Sequence, residues 1–106
     1  MVSRIIQVDI KPERLHDLRQ ALDSTVIPNL KQQPGFVDAV ESSDPNTGRF
    51  VCLTLWKSRE DADRYGNTAF LEHAQMLTPL CASEPSVQTL EVETSTVHNI
   101  AATKAA

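Results

Sequence analysis

Apolar and polar side chains alternate at the start of the chain. Ile6, Val8 and Ile10 point to one side, and polar residues stand between them. This period of two is typical of a strand with one buried face. We therefore expect a first strand over residues 3–10.

The apolar spacing then changes to three and four. The segment beginning Lys11-Pro12-Glu13 is a helix start, since proline at the first helical position loses only an N–H that would be unpaired anyway. Pro28 removes a backbone donor, so we expect it to kink or end this helix. The apolar stripe of the helix consists of Leu15, Leu18, Leu22 and Val26.

Turn residues separate the helix from two more strands. Gln33-Pro34-Gly35 breaks the chain, and residues 36–42 form the second predicted strand. The Asp44-Pro45-Asn46-Thr47-Gly48 segment has hairpin turn chemistry, because glycine and asparagine tolerate positive φ. A third strand over residues 49–56 is then an antiparallel neighbour of the second.

The second half of the chain predicts two short helices and a last strand. Ser58 with Asp61 three positions later is close to a capping box, and Gly66 ends that helix. Asn67 or Thr68 can cap the second helix, and Pro79 ends it. The apolar face of this helix holds Phe70, His73, Ala74, Leu77 and Cys81.

Residues 86–95 form the fourth predicted strand, with Leu90 and Val92 inward.

The resulting order βαββαβ predicts an α+β, ferredoxin-like fold, a four-stranded antiparallel sheet with helices on one face. We expect a single domain over residues 1–97 and a tail over residues 98–106 without regular structure.

One strand is apolar on both sides, which does not suit a monomer. The third strand places Phe50 and Trp56 with Cys52 and Thr54 on one face. Helices cover only one face of such a sheet, and a solvated face is normally polar. An apolar surface patch is one explanation, and a homodimer formed sheet against sheet is the one we favour. The residues on the second face are Val51, Leu53 and Leu55.

Composition and charge limit the kinds of partner that the sequence predicts. The 106 residues carry a net charge of −4, and the basic residues are scattered, so a nucleic-acid partner is not expected. No apolar run approaches the ~20 residues of a membrane span, and the N-terminus lacks a signal-peptide pattern, which favours a cytoplasmic protein without membrane contact. Cys52 and Cys81 are expected to be free thiols. The three histidines are too far apart for a metal motif, so no metal site is predicted.

Two segments resemble a known family. The first runs from the helix end Pro28-Asn29-Leu30 through Gln33-Pro34-Gly35-Phe36. The second is Leu55-Trp56-Lys57-Ser58 followed by an acidic helix, Thr68-Ala69-Phe70-Leu71-Glu72-His73 and Leu77-Thr78-Pro79-Leu80. Together they resemble the antibiotic biosynthesis monooxygenase family of dimeric α/β-barrel proteins. The resemblance implies a ferredoxin-like dimer with a pocket between sheet and helices. It also implies cofactor-independent oxygenation of quinols or polycyclic aromatics in some members, and haem degradation in others.

The functional positions of the family match only in part. Trp56 matches a tryptophan linked to substrate handling, but Cys52 stands where the oxygenating members have asparagine, and Ala62 where they have tyrosine. Tyr65, one helical turn on, can reach the same region. In the haem-degrading members the axial histidine lies four residues after the phenylalanine, whereas His73 lies three after Phe70. Two more residues of the haem-degrading members also differ here: Gln7 stands near the position of their asparagine, and Tyr65 stands at that of their second tryptophan.

These residues predict one small apolar cavity. In this hypothesis His73 is the catalytic base and Trp56 orients an aromatic substrate, with no cofactor. Each has a structural alternative: Trp56 as a core side chain, and His73 as a buried histidine with a satisfied hydrogen bond. The second hypothesis is a non-catalytic, small-ligand-binding or stress-related dimer of the same fold. The predicted substrate contacts are Phe50, Cys52, Tyr65 and Phe70.

Overall fold

The computed structural model describes residues 1–100, and the last six residues of the predicted tail lie outside the described part. Four strands form one antiparallel sheet in the order β2-β3-β1-β4. The βαββαβ order and the ferredoxin-like fold are thus confirmed, with β3 central as expected. The strands are β1 Val2–Asp9, β2 Phe36–Ser43, β3 Arg49–Trp56 and β4 Ser86–Glu91.

The helices all pack on one face of the sheet. The buried stripe of the first helical segment is the predicted one, extended by Leu30. The helices are α1 Leu15–Ala21, α2 Ile27–Leu30, α3 Arg59–Gly66 and α4 Ala69–Leu77, with 3-10 turns at Pro12–Arg14 and Thr78–Leu80 and a π turn at Leu22–Val26.

Pro28 does not end the first helical segment, which continues to Leu30. The π turn precedes the proline, and there the Ile27 N–H donates five residues back to the Leu22 carbonyl. Proline cannot donate, and its ring crowds the carbonyl four residues earlier, so a wider turn lets the helix pass through it. Leu22 and Val26, at either end of this π turn, line a cavity between the helices and the sheet.

Two glycines close the turns that hold the sheet in register. Gly35, at φ 78°, presents its carbonyl to the Lys57 N–H at 2.8 Å, and a Cβ there would collide with the Asp61 side chain. Gly48, at φ 80°, accepts from the Ile10 N–H at 2.8 Å. Both backbone conformations favour glycine, as the turn chemistry of the sequence indicates.

Strand β2 contains a bulge at Val37. Phe36 pairs with Trp56, but Asp38 pairs with Leu55, so two residues of β2 pass one residue of β3. An extra residue reverses the alternation that follows it. From that point the odd-numbered residues of β2 face the helices.

The sheet face away from the helices is apolar at its centre. Leu53 lies at its centre, between Val40 on β2 and Ile5 on β1. Val40 is 54% exposed, and none of the helices described for residues 1–100 covers this face.

The prediction that Leu90 points inward is wrong. Leu90 pairs with Ser3, lies on the open face and is 46% exposed. Strand β4 ends at Glu91, so Val92 follows the strand rather than belonging to it, and its N–H donates to the Met1 carbonyl. The error arises because β4 is an edge strand whose two faces are both partly exposed, so its apolar residues do not mark the core side.

Candidate functional site

A cavity of about 700 Å³ lies between the helix-facing side of the sheet and the helices. Five of the six predicted site residues lie in its wall, which is mostly aliphatic and aromatic. Such cavities with few polar groups are typical of small-molecule sites. The predicted residues in the wall are Phe50, Cys52, Tyr65, Phe70 and His73.

Tyr65 and His73 form a buried hydrogen-bonded pair. The Tyr65 Oη and His73 Nδ1 atoms are 2.8 Å apart, and the two residues are 4% and 6% exposed. Ser58 starts α3, since its hydroxyl accepts from the Asp61 N–H, and α3 ends one residue after Tyr65. The break between α3 and α4 then brings His73 back beside Tyr65.

Burial determines the protonation states of this pair. Desolvation lowers the pKa of His73, with a smaller opposing effect from Glu72. Desolvation raises the pKa of Tyr65, and the Arg4 guanidinium partly offsets that rise. The imidazole is therefore neutral near pH 7 and the phenol protonated, so Tyr65 can donate to a free nitrogen lone pair.

Cys52 lines the cavity but is not a reactive thiol. Burial is the main cause that raises the pKa of its thiol to about 12. A thiol with such a pKa carries almost no thiolate at neutral pH. Cys52 and Cys81 are both free.

Trp56 lies behind Tyr65 and is not among the described residues of the cavity wall. Its side chain is fully buried, and its Nε1–H donates to the Thr54 hydroxyl at 2.9 Å. The Trp56 and Tyr65 rings stack at 5.0 Å with an interplanar angle of 24°. This geometry favours the core alternative, in which Trp56 fixes the orientation of Tyr65.

Replacing Trp56 with phenylalanine is expected to lower the free energy of unfolding by about 1–3 kcal/mol. The substitution leaves the Thr54 hydroxyl without its buried donor and shrinks the ring beneath Tyr65. Urea unfolding followed by circular dichroism measures the change. An unchanged midpoint would contradict a structural role for the indole.

Arg4 is a buried cation that the sequence did not single out. It is 6% exposed on the helix-facing side of β1, and its guanidinium carbon lies 4.0 Å from the Phe70 ring centroid and 5.5 Å from that of Tyr65. Gly66 leaves room for it, since a Cβ there would lie 3.2 Å from Nη2. The available signal was its even-numbered position, which it shares with the inward Ile6 of the same strand.

Glu41 is a second polar residue that the sequence pattern does not place in the site. It pairs with Cys52 across the β2–β3 ladder, and its side chain lines the cavity. Alternation counted from Phe36 places it on the open face, and the bulge at Val37 turns it inward. Desolvation raises the pKa of Glu41, with a further contribution from Asp23.

The family model for antibiotic biosynthesis monooxygenases matches residues 1–77. The chain belongs to the antibiotic biosynthesis monooxygenase family. The match covers the first segment of the resemblance and the second as far as Leu77, and His73 lies within it. No curated protein matches the chain significantly.

Solved structures of low sequence identity share the fold. Rv0793 from Mycobacterium tuberculosis aligns with a TM-score of 0.71 at 20% identity, covering 90% of this chain and 97% of that chain. A monooxygenase from the ActVA-Orf6 gene of Streptomyces coelicolor, in complex with nanaomycin D, gives 0.74 at 15%, covering 89% and 88%. The haem-degrader MhuD from Mycobacterium tuberculosis, with two haems bound, gives 0.72 at 16%, covering 90% and 98%.

A metal site and a membrane-spanning helix were both sought in the part of the chain that the structure describes. Residues 1–100 hold no cluster of three metal-ligating side chains. Over the same residues, no helix combines the length and the apolar character needed to cross a membrane.

Proposed function

We propose that the protein is a monooxygenase that acts on a quinol or another electron-rich aromatic molecule without a cofactor. The observation that carries this proposal is the Tyr65–His73 pair, a neutral base and a phenol 2.8 Å apart in the wall of an apolar cavity. Membership of the family supports the general reaction, and the pair supplies the groups that it needs.

Proton removal is the step that the pair performs. A substrate hydroxyl that binds the Tyr65 Oη passes its proton to that oxygen, while the Tyr65 proton moves to the His73 Nδ1. His73 is thus the base, and Tyr65 relays the proton. The low pKa of His73 keeps the imidazole free to accept a proton at neutral pH.

The substrate then supplies the electrons. Deprotonation makes the aromatic ring a reductant for molecular oxygen, one oxygen atom is bonded to a ring carbon, and the other leaves as water. A hydroquinone and one oxygen molecule thereby give a hydroxylated quinone and one water, which balances without another reductant. The apolar wall formed by Phe50, Cys52 and Phe70 excludes water from the reacting ring.

Arg4 and Trp56 act through Tyr65 in this proposal. The Arg4 guanidinium opposes the rise in the pKa of Tyr65 caused by burial, which eases proton movement through that hydroxyl. Trp56 holds the ring of Tyr65 by stacking. The oxygenating members of the family have asparagine where Cys52 stands, so this proposal assigns no side-chain amide donor to the substrate oxygen.

The active form in this proposal is a homodimer. The open sheet face presents Val40, Leu53 and Leu90 with their apolar neighbours, and a second copy packed on it would remove them from water. The helix-facing cavity stays separate from that interface.

The haem-degrading alternative does not suit the residues of this cavity. Its wall contains a single histidine among the described residues, and the Nδ1 of that residue is held by Tyr65. Glu41 also places a carboxyl in the wall. Only the Nε2 atom of His73 would be left to bind a haem iron, and His73 is 6% exposed.

Titration with hemin is therefore expected to give no stoichiometric complex after gel filtration. Absorbance of the eluted protein in the Soret region measures this. A Soret band that persists through the column and disappears in His73→Ala would overturn the expectation.

Oxygen consumption tests the proposed reaction directly. The protein is mixed with a panel of hydroquinones and polycyclic phenols in an oxygen electrode, with heat-denatured protein as the control. Uptake above the control for at least one compound is expected. Ligand binding without any uptake would instead support the non-catalytic binding dimer.

A further inference from the structure

Two buried polar atoms have no hydrogen-bond partner within residues 1–100, Arg4 Nη1 and Glu41 Oε2. Their surroundings differ. Glu41 lines the cavity, whereas Arg4 lies behind the rings of Phe70 and Tyr65 and is not in the wall. A buried carboxyl oxygen without a partner is costly, and the Glu41 side chain lines the cavity, so a turn of the carboxyl group toward that space would let a ligand hydroxyl complete it.

The backbone directs Glu41 into the cavity. The bulge at Val37 gives Glu41 the same facing as Ala39, and the β2–β3 ladder sets it opposite Cys52. Asp23, in the π turn, is the charged neighbour that acts on it from the helix side. Glu41 therefore belongs to the wall built by β2 and the first helical segment, while Tyr65 and His73 belong to the wall built by α3 and α4.

The charged residues of the cavity wall are all acidic. Glu41 lines it in the interior and Glu84 at the loop before β4, and no lysine or arginine among residues 1–100 lines it. A carboxylate-bearing ligand would meet like charge in a poorly solvated space. A neutral ligand with a hydroxyl avoids this repulsion and can donate to the carboxyl group of Glu41.

We propose that Glu41 binds a second hydroxyl of the aromatic substrate, so that the cavity selects neutral dihydroxy aromatics over monohydroxy and carboxylate-bearing ones. This rests on the proposed function only in assigning the first hydroxyl to Tyr65. Glu41 then fixes which ring position faces the Tyr65–His73 pair.

Binding measured without oxygen separates this proposal from the reaction. Calorimetric titrations under nitrogen use three kinds of probe: naphthol, which has one hydroxyl, the dihydroxynaphthalene isomers, which have two, and hydroxynaphthoate, which carries a carboxylate. The wild-type protein is compared with Glu41→Leu, which removes the acceptor, and Glu41→Gln, which removes only the charge. Glu91→Leu is the matched control, since Glu91 is an exposed strand glutamate outside the cavity wall.

The wild-type protein should bind its best dihydroxynaphthalene about tenfold more tightly than naphthol, as expected for one hydrogen bond to a carboxylate. Glu41→Leu should lose that preference while still binding naphthol, and Glu91→Leu should keep it. Glu41→Gln should retain part of the preference and bind hydroxynaphthoate more tightly than the wild type does. Retained naphthol binding shows that the variants are folded.

An unchanged preference in Glu41→Leu, or wild-type binding that favours hydroxynaphthoate, would overturn the proposal. So would a wild-type protein that binds none of the probes. Selective binding that depends on Glu41 but leads to no oxygen uptake in air would uphold the proposal and reject the oxygenase function.

Discussion

Replacing Leu53 with aspartate is expected to convert the proposed sheet-to-sheet dimer into monomer or aggregate. Leu53 lies at the centre of the open sheet face, paired with Ile5 on one side and Val40 on the other. In a sheet-to-sheet dimer the new carboxylate would be buried without a partner, which costs several kcal/mol. The dissociation constant should rise at least about 100-fold, since each tenfold corresponds to about 1.4 kcal/mol.

Sedimentation velocity over a range of concentrations measures this effect. Leu71→Asp is the matched control, because Leu71 is a leucine on α4 that is 57% exposed and remote from the sheet face. The control should sediment as the wild type does. A Leu53→Asp protein that remains a dimer at the lowest concentration would exclude this face as the interface.

Replacing His73 with alanine is expected to reduce turnover by about 10²–10⁴-fold, the usual contribution of a general base. The substitution removes the acceptor of the Tyr65 proton and leaves the hydrophobic wall otherwise intact. The measurement is the initial rate of oxygen uptake on the best hydroquinone, with dimerisation checked in parallel. Equal rates in the two proteins would remove His73 from the mechanism.

The relay through Tyr65 has its own consequences for this experiment. Tyr65→Phe keeps the stacking on Trp56 but removes the hydroxyl, and its rate should fall by a similar factor. A loss confined to His73→Ala would mean that His73 accepts the proton directly. Since burial lowers the pKa of His73, the wild-type kcat/KM should fall only when the pH drops below the ordinary histidine range.

The elements of the fold could be predicted because their signals are local. The alternation in β1, the leucine stripe of the first helix and the cap at Ser58 each depend on neighbours within a few residues, and each is found in the structure. For the opposite reason, Leu90 was misjudged and the sequence left open whether Pro28 kinks or ends its helix. The π turn depends on how the helix packs, and the facing of β4 depends on its pairing with β1.

The candidate site was predictable only as a set of surfaces. The helical spacing placed Phe70 and His73 on one face, and the strand period placed Phe50 and Cys52 on another. The ferredoxin-like topology brings these two faces together. The hydrogen bond between Tyr65 and His73 could not be derived, because it spans a helix break whose angle is set by packing.

The sequence alone determined the order of the elements, the family, the free thiols and an apolar second sheet face, since each follows from periodicity or from a contiguous motif. The tertiary structure decided the polar groups of the site. Arg4 is buried because Phe70 and Tyr65 cover it. Glu41 faces the cavity because one extra residue in β2 reverses the alternation, and a bulge is fixed by pairing with β3 rather than by the residues of β2.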